Sequence, residues 1–171
     1  MRITLLIVLI LMLSGCTATY KQNTLAQPSA KLVRGSSVAI ATPTNGFCES
    51  EEYQASGKMT AYAVRAAFAR FSNTITVLPE CNNLVCRKVS KASTHYYYYV
   101  IPEILNWEER VTEWSGLPDK IEVKIPIYDD QTSRELASTI ISGESKWATF
   151  GGDHSQDLLP EPINAYVESL Y

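Results

Sequence analysis

The residue types that could do chemistry in this chain are four cysteines, two histidines and a glycine-rich loop. Cys16 closes an apolar stretch running from Ile3 to Leu13, interrupted only by Thr4, and directly follows Leu13-Ser14-Gly15. A thiol can form a thioether to a diacylglyceryl group, and small residues before it leave a peptidase room to reach the backbone. His154 follows Gly151-Gly152-Asp153, so an imidazole and a carboxylate are neighbours in a loop where a general base or metal ligand is conceivable. The competing reading of His154 is a surface or turn-stabilising residue, because no acidic motif at ligand spacing accompanies it. His95 opens a strand and reads as packing or surface. A triad of Ser155, His154 and Asp157 would require adjacent residues to converge. The chain has no GxSxG elbow, and Gly151-Gly152 lacks the spacing and lysine of a phosphate loop. No catalytic residue is assigned, no cofactor or metal is expected, and the chain is not expected to be an enzyme.

The other cysteines are Cys48, Cys81 and Cys86. An oxidising compartment permits disulfides, and three cysteines leave one unpaired. Cys48 follows the first predicted strand of the core and Cys81 the second. If those strands are parallel neighbours, both cysteines leave from the same sheet edge, so Cys48 is expected to pair with Cys81 or Cys86, with Cys86 preferred. A local Cys81–Cys86 bridge is the rival. A zinc site at Cys81-x₄-Cys86 would lack a second ligand pair nearby.

The leader decides the address. Met1-Arg2 gives a positive start, and the apolar run is too short for a hydrocarbon core that needs ~20 residues. An ordinary secretory peptide with Cys16 left as a thiol is the plain alternative. Leu13-Ser14-Gly15-Cys16 resembles the bacterial lipobox, which implies cleavage after residue 15 and acylation of Cys16 with chains such as palmitate. Two or three acyl chains give stable anchoring where one binds only marginally. Resemblance to Gram-negative lipoproteins implies the outer membrane, because residue 17 is Thr in place of the inner-membrane-retaining Asp. Residues 17–35 are rich in small and polar types, and their composition predicts a flexible tether. The expected organisation is a signal peptide over 1–15, a lipidated tether over 16–35 and one periplasmic domain over 36–171.

That domain must position everything else. Ser36 to Pro43 reads as a strand covered on both faces, and Asn73 to Pro79 as a second. Between them Ala61, Val64, Phe68 and Phe71 form a helical stripe, with Ser56 as the N-cap. A short helix is predicted near Asn83 to Ala92. Thr94 to Trp107 carries four consecutive tyrosines, with Tyr96, Tyr98 and Val100 on one face and a bulge or edge at Pro102. Ile121, Val123, Ile125 and Ile127 alternate with polar residues, and Leu136 to Trp147 follows with Gly143 as a bulge. Pro162 starts a terminal helix. The fold class is α/β (α+β): a mixed sheet of about five strands, order β-α-β-(α)-β-β-β-α, with helices packed on it.

With 171 residues, 46% hydrophobic and 19% charged, the chain suits one packed domain. A net charge of −3 with no basic block argues against nucleic acid. Trp107 and Trp147 read as core residues. Trp114-Ser115-Gly116 reads as a loop in which an exposed aromatic could anchor a partner, and Asp153 and His154 join it as partner-binding candidates.

The stretches Ile101 to Leu105, Trp107-Glu108, Trp114-Ser115-Gly116, and Ser145 to His154 continuing through Leu158 to Pro162 resemble an uncharacterised family of Gram-negative lipoproteins. The element order is similar to the α/β domains of the curli secretion lipoprotein and the N-terminal domain of TolB. These resemblances imply an outer-membrane lipoprotein facing the periplasm and held to the bilayer by Cys16; the expected role is to bind another envelope component without catalysis, through edge strands or the Trp114 loop. The alternatives are a self-assembling subunit of an envelope or secretion complex, and an envelope hydrolase using His154 and Asp153.

Overall fold

The computed structural model describes residues 18–79, 81–89, 95–110, 117–145 and 154–171. In chain order the elements are β1 (Thr19–Ala26), β2 (Val38–Ala41), β3 (Phe47–Cys48), β4 (Glu51–Glu52), α1 (Ser56–Phe68), β5 (Ile75–Leu78), α2 (Leu84–Val89), β6 (Tyr98–Val100), β7 (Glu103–Glu108), β8 (Lys120–Asp129) and β9 (Glu135–Glu144). A 3₁₀ turn (Ser155–Leu158) then leads into α3 (Pro160–Leu170).

Seven strands build one mixed sheet in the order β1-β9-β8-β6-β2-β5, with β7 also pairing β8. The sheet is therefore wider than the five strands read from the sequence. β2 runs parallel to both β5 and β6, while β8 is antiparallel to β6, β7 and β9. The remaining strands, β3 and β4, form a small hairpin.

Alternation explains the layers. Val38 and Ile40 point to one face, where Ala61, Val64 and Phe68 of α1 meet Ile163, Tyr166 and Val167 of α3 over Ile121, Val123, Ile125 and Ile127. Ala39 and Ala41 point to the other, where they pack with Tyr96, Tyr99 and Leu84. β2 is thus apolar throughout because both its faces are covered. Pro102 splits the tyrosine-rich segment into β6 and β7, which share β8 as partner along different halves. The regular alternation expected of the tyrosines starts only at Tyr98. Tyr96 precedes the strand, packs with Tyr99 and leaves Tyr97 exposed.

Several expectations need correction. The segment read as a tether contains β1, which pairs β9 from Thr19↔Glu144 to Ala26↔Ser138. Leu32 is buried, and its N–H donates to the Leu170 carbonyl. The ordered domain thus begins by Thr19, because an edge strand needs backbone partners rather than apolar side chains. Gly143 is not a bulge. It pairs regularly with Ile121 and Tyr20, and a Cβ there would lie 3.1 Å from Leu158 Cβ. Ser56 is not the N-cap: Ala55 holds that position with φ 68°, and the Ser56 hydroxyl donates to the Tyr53 carbonyl while accepting from the Gly46 N–H. The terminal helix starts at Pro160 rather than Pro162.

The disulfide joins Cys81 to Cys86, and Cys48 is the free cysteine among the described residues. The preferred Cys48–Cys86 pairing fails because the turn into α2 brings its own two cysteines to a Cα separation of 5.4 Å. Cys48 lies instead on the β3–β4 hairpin, which packs beside β7.

Candidate functional site

Polar side chains gather at the end of the sheet where β7 stops and β8 starts. His154 Nδ1 lies 3.2 Å from Glu109 Oε1, an ion pair once the imidazole carries a proton. The Tyr53 hydroxyl donates to the Glu109 carbonyl at 3.0 Å, tying the β3–β4 hairpin to the same place. Arg110 binds Glu108 at 2.8 Å, and its backbone N–H donates to Asp119 Oδ1 at 2.6 Å. Asp119 N–H in turn donates to the Ser145 hydroxyl at 2.9 Å. Burial opposes ionisation of Glu108, but hydrogen bonds from Asn106 and Arg110 outweigh it and hold the carboxyl below its usual range. Burial pushes the Tyr53 phenol up.

The arrangement is structural in its details. Ser155 is fully buried and its hydroxyl donates to the Glu108 carbonyl at 2.7 Å, so it is not poised as a nucleophile. Asp157 accepts from the backbone N–H of His154 at 3.1 Å and closes the 3₁₀ turn. The imidazole meets Glu109 instead, so Ser155, His154 and Asp157 form no triad. Among the described residues no three His, Cys, Asp or Glu side chains converge to hold a metal.

The opposite end of the sheet carries a buried pair. Arg87 on α2 grips Asp130 through two contacts, Nε–Oδ1 at 2.9 Å and Nη2–Oδ2 at 2.7 Å. The same carboxylate accepts from Tyr96 N–H at 3.3 Å, and the guanidinium lies over the Tyr96 ring. Tyr99 donates to the Cys81 carbonyl, and burial pushes its phenol up to about 12. Sequence reasoning missed Arg87 and took Asp130 as a turn residue. Forty-three positions separate them, a distance at which no local spacing signals contact.

A broad open groove of about 490 Å³ lies between β1 and α3, lined by Gln22, Thr24, Lys31, Tyr166 and Ser169 among others. Of the residues singled out in the sequence, His154 is exposed, Trp107 is buried at 1%, and Cys48 is half-buried. Leu13, Ser14, Gly15, Cys16, Trp114, Ser115, Gly116, Trp147, Gly151, Gly152 and Asp153 lie outside the described residues.

A family model described as a domain of unknown function, DUF4823, matches residues 30–170. No curated protein matches in sequence. Among solved structures, the PelC dodecamer from Paraburkholderia phytofirmans is similar with a TM-score of 0.62 at 13% identity, covering 86% of this chain and 96% of that one. A point variant of the same PelC gives 0.56 at 14% identity, covering 86% and 95%. A Xanthomonas campestris protein of the DUF330 family model gives 0.51 at 14% identity, covering 84% and 93%. At these identities the likeness is one of fold.

Proposed function

Because this chain belongs to the DUF4823 family, a domain of unknown function, we propose that it is a lipid-anchored envelope protein that works by binding another envelope component rather than by catalysis. Acyl chains on Cys16 hold it to the outer membrane with its domain in the periplasm. The short apolar leader, Leu13-Ser14-Gly15-Cys16 and the following Thr17 support that address. No helix among the described residues is long and apolar enough to cross a membrane.

One observation carries the binding role. β1 is eight residues long and, among the described residues, ends the sheet and pairs with β9 alone. Its side chains are mostly exposed, and no described strand covers its outer backbone edge. Long edge strands invite strand addition, so proteins usually shorten or cover them. A photocrosslinking residue in place of Leu25, introduced in living cells, tests this. A discrete adduct from β1 is expected, with none from a control at Glu161. No adduct, or the same adducts from both positions, contradicts the reading.

Self-assembly is the second reading, favoured by the likeness to a structure described as a dodecamer. Here the sheet ends in two different strands, β1 and β5. Contact between unlike edges generates rings when the rotation closes. Light scattering of the full chain in detergent distinguishes the two: a mass of several chains supports assembly, and a monomer at high concentration opposes it.

A further inference from the structure

We infer that the domain stands end-on to the bilayer, with the rim formed by the start of β8 and the ends of β7 and β9 seated on the lipid headgroups. The inference rests on the anchoring reading of Cys16. Only Thr17 and Ala18 separate that residue from Thr19, the first residue of β1. Three Cα steps of ~3.8 Å reach about 11 Å at full extension, far less than the tether expected from composition. The register then fixes what lies beside the anchor. Thr19 pairs with Glu144, Glu144 with Lys120, and Lys120 with Glu108.

The chemistry of that rim suits a zwitterionic headgroup layer. Arg110 and Lys120 offer cations to phosphates, while Glu108, Glu109 and Glu144 offer carboxylates to ammonium groups, so both signs are present along this rim. Two apolar side chains accompany them. Leu117 is 53% exposed two residues before Asp119, and Phe47 is 56% exposed on the hairpin that Tyr53 ties to Glu109. Partly exposed apolar groups among mixed charges are the composition of an interfacial surface. The far end of the sheet, with Gln131 in the β8–β9 turn, lies nine residues along β9 from Glu144, about 30 Å away at ~3.4 Å per residue. Arg87 and Asp130, beside that turn, therefore face away from the bilayer.

The full acylated chain, purified from membranes and reconstituted in phosphatidylethanolamine–phosphatidylglycerol vesicles, provides the test. On a Cys48→Ser background, a fluorophore is placed at Lys120→Cys, at Leu117→Cys as a second rim position, or at Gln131→Cys, and headgroup-spin-labelled lipid is the quencher. The rim labels should lose most of their emission and the Gln131 label should keep it. Equal quenching at both ends, or stronger quenching at Gln131, overturns the end-on placement while leaving the anchor standing. The mass of the N-terminal peptide and flotation with the vesicles are read in the same preparation. A chain that lacks acyl groups and does not float overturns the anchoring reading, and this inference with it.

Discussion

Arg87 and Asp130 form a two-point ion pair with both side chains less than a tenth exposed, and this pair fastens the six-residue helix α2 to the β8–β9 turn. So short a helix has little stability of its own. Its position depends on the pair and on the disulfide at its start.

Removing one member of the pair leaves the other charge buried alone. Arg87→Met or Asp130→Ala should each cost about 3–5 kcal/mol in urea unfolding. The double variant should recover part of that loss. Additive losses would show that the two charges do not compensate each other.

Much of the fold was legible because burial is periodic. Ile121, Val123, Ile125 and Ile127 alternate and are all buried, and the stripe on α1 is buried at Ala61, Val64 and Phe68. β1 was not legible, since TYKQNTLA is wet on both faces and is a strand only because β9 supplies hydrogen bonds. The disulfide was misjudged for a related reason: strand adjacency was weighed above the local turn that holds Cys81 and Cys86 together. At the candidate site, His154 was visible as a residue, but its partner Glu109 lies 45 positions away on the far side of the segment 111–116 and carries no motif.

Cys48 should be the reactive thiol of the folded domain. Alkylation without reduction, followed by peptide mapping, should modify Cys48 and recover Cys81 linked to Cys86. A peptide linking Cys48 to either of the others contradicts the structure.

Glycine substitutions should rank by what the new Cβ meets. At Gly57 it would lie 2.2 Å from the Pro43 carbonyl oxygen, which belongs to backbone and cannot swing aside. Gly57→Ala should cost about 3 kcal/mol, at the upper end for overpacking. Gly35 has φ +80° with nothing within 4 Å, so Gly35→Ala should cost only the left-handed strain of roughly 1–2 kcal/mol. Chemical denaturation reads both, and the reverse order would refute the packing at Pro43.

The turn at Asp129 should make stability fall in acid. Its carboxylate accepts from the Thr132 N–H at 2.7 Å and from the Thr132 hydroxyl at 2.8 Å, which holds its pKa below the usual value. A depressed folded-state pKa stabilises the protein above the unfolded value, ~3.9, and that contribution is lost as pH falls through the folded value. Asp129→Asn should therefore be less stable than the parent at pH 7, with the gap closing below about pH 4. A gap that stays constant down to pH 2 would show that the charge contributes nothing.

The proposed anchor at Cys16 carries the proposed location, orientation and partner. Intact-mass and N-terminal peptide analysis of the protein isolated from its own membranes measures it directly. The expected product begins at Cys16, bears a diacylglyceryl thioether and an added fatty acyl group, and disappears in Cys16→Ser. A mature chain that begins elsewhere, or begins at Cys16 with a free thiol, contradicts the account.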